Sequence, residues 1–303
     1  MKIGIGGNAS SLQGIVSEAK RSEEALFSTY SISNVLGHDA IGAQTVAAVH
    51  TAEIELLTAV VPVLPRHPVA LAQQALTAQA AARGRFTLGI GLSHKVMMER
   101  SFGLTYDPAA KRMEEYLEAL LPLLRGEKVN TEGNFVSARA QVTARDQLET
   151  RCLLAALGPR MLELAGKYTD GTILWLTGAR AIRNYIRPHI LRSVTSSGRP
   201  SPRIVCGLPI VLTNKVEEAR EKAEGLWGRY ASLPSYAWVL QQQGARRSGD
   251  VVLAGDEGKL VEALDELCDT GVTSFLGTPF ASDADAIDRT WSFLAANADR
   301  WSG

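Results

Sequence analysis

Short apolar runs alternate with helical patterns along most of the 303-residue chain. Eight of these runs read as strands: Lys2 to Ile5, Tyr30 to Val35, Ile54 to Val61, Phe86 to Ile90, Cys152 to Leu157, Gly171 to Trp175, Arg203 to Val211 and Val272 to Leu276. Between them, apolar residues recur at three- and four-residue intervals. Met113, Tyr116, Leu117, Leu120, Leu121 and Leu124 form one such pattern, in which Pro122 is expected to bend the helix or end it early. Runs such as Leu153-Leu154-Ala155-Ala156-Leu157 are apolar at consecutive positions. A strand needs that when both its faces are covered, so a parallel sheet is expected. No Pro/Gly/Ser linker or compositional break divides the chain. Eight strand–helix units therefore predict an α/β fold with a single (β/α)8 TIM barrel domain over residues 1–303, rather than an open sheet with a second domain. Insertions are expected after strand 4 and before strand 8, at about 92–108, 128–150 and 230–252. The middle one holds Gly133-Asn134 between β-prone arms and reads as a hairpin; the last carries Trp238, three glutamines and Arg246-Arg247 and is a candidate lid.

Charge and cysteine content narrow the function class. Lys plus Arg equals Asp plus Glu at 32 each and the pI is about 7.0, so the chain has no overall field to hold nucleic acid, and no nucleic-acid partner is expected. No apolar signal core follows Met1 and no apolar run is long enough to span a bilayer, which implies no membrane association and a cytoplasmic location. Cys152, Cys206 and Cys268 lie far apart in apolar runs, as buried thiols do, and offer no metal-ligand spacing.

In a barrel, reactive groups sit just beyond the carboxyl ends of the strands. Gly4-Ile5-Gly6-Gly7-Asn8-Ala9 matches the nucleotide-binding pattern G-x-G-x-x-A. Only three residues precede Gly4, however, so the glycines fall inside the first strand instead of in the turn after it, which argues against a dinucleotide fold. After the second strand, Gly37-His38-Asp39 supplies a titratable pair; alternatively Asp39 caps the next helix and His38 is an exposed loop residue. Pro62 and Pro65 close the third strand, with Arg66 and His67 ahead of Pro68 at a helix start. The fourth strand runs into Gly89-Ile90-Gly91-Leu92-Ser93-His94, where glycines let a flat ligand approach the backbone and His94 can give or take a proton near neutral pH. Gly158-Pro159-Arg160-Met161 and Thr177-Gly178-Ala179-Arg180 open helices after the fifth and sixth strands. Their free N–H groups favour an anion and Arg180 adds a formal charge, with ordinary helix capping as the alternative reading.

Taken together, Gly37-His38-Asp39, the Ala59 to Pro68 segment, Leu88 to His94, Ala155 to Met161 and Asp170 to Gly178 resemble the bacterial-luciferase-like superfamily. Within it, the chain is similar to oxidoreductases that use the deazaflavin coenzyme F420, such as methylenetetrahydromethanopterin reductase-like proteins. The resemblance implies a (β/α)8 barrel with a bulged third strand and a non-proline cis peptide, mapping to Ala59–Val60, behind the cofactor ring. It further implies a cofactor-binding set in which Asp39, Ala59, Val60 and Pro62 join Gly91, Leu92, Ser93 and Met97. Gly158, Thr177 and Arg180 would take the phosphate of the tail, beside Pro159, Arg160 and Gly178. His38 and His94 would be catalytic as a proton relay. His94 stands where related sugar-phosphate dehydrogenases carry a glutamate acid, so their mechanism does not transfer directly. The expected activity is hydride transfer between the deazaflavin C5 and a small organic substrate, by a homodimer. Two alternatives accompany it: an FMN-dependent luciferase-like monooxygenase whose cofactor phosphate uses the same turns, and a deazaflavin- or flavin-binding protein without turnover.

Overall fold

In the computed structural model, which describes residues 1–33, 36–144, 146–281 and 283–301, eight parallel strands close into a barrel. They are β1 (Lys2–Gly6), β2 (Thr29–Ile32), β3 (Glu55–Thr58), β4 (Phe86–Gly91), β5 (Arg151–Ala155), β6 (Gly171–Trp175), β7 (Arg203–Leu212) and β8 (Ser274–Pro279). Each pairs with the next, and β8 returns to β1 with Ser274 opposite Lys2 and Gly277 opposite Ile5. Helices such as Leu12–Glu24, Ala40–Ala48, Pro68–Ala81 and Ala109–Leu124 cover the outside. The fold is a (β/α)8 barrel. The expected second strand ran to Val35; β2 ends at Ile32, and Asn34 and Val35 lie outside the described residues.

Two expectations along the chain need correction. The helix carrying Pro122 does not end early: it runs on to Leu124, because Pro122 sits in the final turn, where a missing N–H removes only one bond of the helical ladder. The stop comes from Gly126, whose φ of 73° places it in the left-handed region, with Gly126 N–H donating to Leu123 O and Glu127 N–H to Pro122 O. The third strand is also not continuous from Ile54 to Val61. It breaks after Thr58 and resumes as the short pairing Val61–Pro62 against Ile90 and Gly91.

The barrel interior is built in layers, because side chains two apart on a strand point the same way. The lowest layer is polar. Glu55 of β3 receives Arg203 of β7 through both nitrogens of the guanidinium fork at 2.5 and 2.7 Å, the hydroxyl of Thr29 of β2 at 2.8 Å and that of Thr87 of β4 at 2.6 Å. Arg203 Nε in turn donates to Ser274 Oγ of β8 at 3.2 Å. One carboxylate and one guanidinium thus tie five strands together across the bottom of the barrel. Two residues up each strand lies an apolar layer of Leu57, Leu153, Ile173, Val205 and Leu276, all buried. The opposite set, including Ile3, Ile5, Leu56, Phe86, Leu88, Leu154 and Phe275, faces the helices in the main core.

Glu55 is held below the ordinary carboxylate range: burial opposes its charge, but the hydrogen bond and charge of Arg203 and the two threonine hydroxyls outweigh that. Breaking such a pair from one side strands a largely buried charge. Arg203→Met is expected to cost about 3–5 kcal/mol in urea unfolding at neutral pH. The double variant Glu55→Leu/Arg203→Met is expected to cost distinctly less, because no charge is left behind. Because the folded-state pKa of Glu55 is depressed, the wild-type contribution is complete above the ordinary glutamate range and disappears as pH falls through it towards the lower folded value. The deficit of Arg203→Met should therefore shrink on acidification.

Candidate active site

Above the apolar layer, the interior positions of the strands are occupied by Gly6, Ser31, Ala59, Gly91, Ala155 and Gly207. A barrel of this kind is ordinarily filled to the top by bulky side chains. Here the third layer lacks the volume, and a cavity of about 750 Å3 opens at the carboxyl ends of the strands, floored by Ile173 and Leu276.

One wall of this cavity is the break in β3. Leu57 lies opposite Thr87 and Val61 opposite Ile90, so four residues of the β3 side are taken up against three of β4, a one-residue bulge. The Thr58 hydroxyl fills the gap in the ladder, donating to Gly89 O and accepting from Gly89 N–H, both at 2.9 Å. Only glycine fits opposite it: a Cβ at position 89 would lie 1.9 Å from Thr58 O. The Ala59–Val60 peptide at the bulge is cis and both residues line the cavity. Arg66 holds the far side of the bulge, donating to Pro62 O at 2.9 Å and pairing with Asp39 at 2.6 Å.

Two loop segments close the mouth. After β4 the chain turns through Ser93, whose φ of 62° is unusual for a residue with a Cβ, and the Tyr106 hydroxyl donates to Ser93 O at 3.3 Å. The helix Lys95–Ser101 follows and turns Val96, Met97, Arg100 and Ser101 towards the cavity, the spacing of one helical face. After β7 the helix Val216–Trp227 runs into a 3-10 turn, Gly228–Ser232, and the helix Pro234–Gln242. The His94 ring meets Tyr230 edge-on at 5.6 Å and Tyr236 at 5.8 Å, and the two tyrosines meet each other at 4.8 Å. This three-ring cluster joins the two segments. Trp175 and Trp227, 5.9 Å apart, form another part of the wall.

The lining contains no Asp or Glu among the described residues; its ionisable groups are His94, Arg100, Arg229 and tyrosines. Burial, followed by the nearby Arg229 charge, lowers the pKa of His94, so the imidazole is neutral at neutral pH. Burial raises the Tyr106 phenol, and burial with the neighbouring Tyr230 raises that of Tyr236, so both keep their protons. The site can therefore donate or accept hydrogen bonds and a proton, and offers positive charge with no carboxylate among its described residues.

The sequence profile of the luciferase-like monooxygenase family matches residues 2–283. The chain belongs to this family. An uncharacterized protein of Mycobacterium tuberculosis is 28% identical over 222 residues; the match covers 68% of this chain and only 65% of that relative's length. The 5,10-methylenetetrahydromethanopterin reductase of Methanopyrus kandleri is 24% identical, covering 80% of this chain and 82% of that protein. Among solved structures, an F420-dependent secondary alcohol dehydrogenase carrying an F420-acetone adduct superposes with a TM-score of 0.82 at 14% identity over 97% of both chains. The FMN-bound oxygenating component of 3,6-diketocamphane monooxygenase from Pseudomonas putida gives 0.78 at 13% identity, over 99% of this chain and 98% of that one. At these identities the superpositions speak for the (β/α)8 barrel fold alone.

Of the residues singled out from sequence, the cavity gathers His94 and, from the bulge, Ala59, Val60 and Pro62. It also takes in Gly91, Leu92, Ser93, Met97 and Gly158. The remaining ones lie elsewhere. His38 is exposed on the bend before the Ala40–Ala48 helix, and Asp39 caps that helix, accepting from Gly42 N–H at 2.8 Å, while pairing with Arg66. Pro159 and Arg160 begin the Pro159–Tyr168 helix, but Arg160 points outward to Glu163 at 2.6 Å. The expected second anion turn is filled by the chain itself. Gln243 accepts from Gly178 N–H at 2.5 Å and donates to Leu176 O at 3.3 Å, the Thr177 hydroxyl donates to Trp175 O, and the exposed Arg180 lies against Gly244. Only the turn at Gly158 opens on the cavity with no side-chain cap. Sequence reasoning missed Arg100, Arg229, Tyr230 and Tyr236. The available signals were coarse: Arg100 falls in the expected 92–108 insertion, where Val96, Met97, Arg100 and Ser101 have helical spacing, and Tyr230 and Tyr236 fall in the candidate lid at 230–252.

The pKa of His94 provides a direct check on this geometry. A two-dimensional NMR titration of the imidazole should place it below the ordinary histidine value of 6.5, and Arg229→Gln should move it upward by removing one of the two causes. An unshifted His94 in both proteins would contradict the enclosed site.

Proposed function

We propose that the protein is an oxidoreductase that uses coenzyme F420, moving a hydride between the deazaflavin and a small organic substrate. The observation that carries this reading is a wide, apolar-floored cavity with a neutral imidazole at its mouth and no carboxylate in its described lining. Relatives named as methylenetetrahydromethanopterin reductase and F420-dependent hydroxymycolic acid dehydrogenase support it.

The residues present fit a flat, anionic cofactor. Gly91 offers backbone where its Cβ would be 2.9 Å from Val60 Cγ2, and Gly158 opens on space with nothing within 4 Å of where its Cβ would lie. Ala59, Val60, Gly91 and Ser93 would flank the ring. The first N–H groups of the Pro159–Tyr168 helix, at Arg160 and Met161, would meet the phosphate. A bound deazaflavin would supply a carbon that carries hydride. The protein contributes the remainder. The Tyr230–Tyr236–His94 cluster covers one side of the cavity mouth, the bulge fixes one wall, and a ring nitrogen of His94 holds or releases the proton that balances hydride arrival at, or departure from, the substrate carbon.

Calorimetric titration is expected to show tighter binding of coenzyme F420 than of FMN; tighter FMN binding with flavin retained through purification moves the assignment to the monooxygenase branch. Binding without turnover against a panel of enones, imines and secondary alcohols would mark a carrier protein. With an active substrate in hand, His94→Ala should lower turnover about 10²–10⁴-fold at nearly unchanged cofactor affinity. His38→Ala should leave turnover as it is, since His38 lies outside the cavity.

A further inference from the structure

The two arginines of the cavity lining stand apart from the way this chain treats its neighbouring charges. On the segment after β4, the two carboxylates nearest in sequence are committed to a different cation: Asp107 pairs with Lys95 at 2.5 Å and Glu99 with the same ammonium at 3.8 Å. Arg100 is left without a carboxylate partner among the described residues. The same holds on the helix leading to Arg229. There Glu217 pairs with Arg220, Glu218 with Lys215 and Glu221 with Arg247, while Glu224 accepts from Gly249 N–H at 2.9 Å. Arg229 also has no carboxylate partner among the described residues; its guanidinium lies 5.7 Å from the centre of the Tyr230 ring. Both arginines line one cavity whose described lining holds no Asp or Glu, and the walls around them include Trp227, Tyr230 and Tyr236.

We propose that Arg100 and Arg229 receive the anionic group of the substrate, and that the substrate is a planar, largely apolar molecule bearing a carboxylate. A guanidinium presents paired donors in the geometry of a carboxylate, and the aromatic wall beside it suits a flat body. The Tyr230 ring, 5.7 Å from the Arg229 guanidinium carbon, also meets the His94 ring at 5.6 Å, which places the anion near the group proposed to handle the proton. This inference rests on the reading above for what happens in the cavity, and its binding test is independent of any cofactor.

The test uses 2-naphthoate and 2-naphthylmethanol, two probes with one ring system and different charge. Binding to the cofactor-free protein is followed by quenching of tryptophan fluorescence at low salt, since Trp175 and Trp227 line the cavity. The wild-type protein should bind the carboxylate about ten- to a hundredfold more tightly than the alcohol, with the difference eroding as salt is added. In Arg229→Gln and the double variant Arg100→Gln/Arg229→Gln, that preference should collapse while affinity for the alcohol stays unchanged. Both side chains are exposed, so thermal unfolding of the variants should match the wild type. Equal affinities in the wild-type protein, a salt-independent preference, or a preference that survives in the double variant overturns the proposal. Coenzyme F420 and its tail-less chromophore are titrated in parallel. If the double variant loses tenfold or more for the coenzyme and nothing for the chromophore, the arginines read the cofactor's tail and the substrate assignment is overturned. A naphthoate preference without binding of either deazaflavin would instead remove the cofactor reading and leave this one standing.

Discussion

The ion pair between Glu55 and Arg203 is the constraint on which the rest of this barrel depends. It sits at the amino-terminal end, where two charges removed from water would be costly unless each were fully satisfied. Here the carboxylate takes four donors from three strands and the guanidinium reaches a fifth strand through Ser274. That geometry fixes the rotation of every strand it touches. Side chains alternate with a period of two, so once Glu55 and Arg203 point inward, Leu57 and Val205 form the layer above them and Ala59 and Gly207 the layer above that. A slip of one residue would turn Leu56 inward and Leu57 out, and the charged pair would face the helices.

The cavity is the consequence of what the third layer lacks. Small residues at the upper interior positions leave a volume that the apolar layer floors and the loops roof. The bulge in β3 then shapes one side. Thr58 and Gly89 act together: the hydroxyl substitutes for ladder hydrogen bonds that the extra residue disrupts, and the absent side chain at 89 is what lets the Thr58 carbonyl come so close. Arg66, which does not itself line the cavity, belongs to the same device, since it links Pro62 to Asp39 and so to the helix that Asp39 caps.

The electrostatic character of the mouth comes from distribution, not from total charge. The chain as a whole is balanced, but the carboxylates on the segments around the mouth are engaged by cations or a backbone N–H outside the cavity, and the ionisable groups of the described lining are imidazole, phenols and guanidiniums. Burial and the Arg229 charge keep His94 neutral, and burial keeps the phenols of Tyr106 and Tyr236 protonated. In such surroundings a proton can be exchanged near neutral pH without a buried anion to stabilise.

The barrel was legible in the chain because each strand is an apolar run flanked by turn residues, and eight of them alternate with helical periods. The glycines of β4 and the imidazole after them could be placed at the cavity for the same reason: strand ends are local features. The resemblance to known sequences carried the Ala59–Val60 peptide. What local pattern did not reveal was which of two similar turns would open on the cavity. Gly158 and Gly178 each precede a helix, yet a glutamine 65 residues further on occupies the N–H of the second. His38 and Asp39 likewise sit beside a strand end, and only the reach of Arg66 across the bulge shows that Asp39 has a structural partner. Arg229, Tyr230 and Tyr236 come from a short 3-10 turn and the helix after it, which are seated by contacts distant in sequence, with Trp238 4.1 Å from Tyr185 of the helical stretch after β6. By itself the sequence determined the elements, their order and the closed parallel sheet, because backbone pairing and burial periodicity are encoded within each element. The tertiary structure decided which side chains face the cavity and which charges remain unpaired there, because both depend on contacts between segments far apart in the chain.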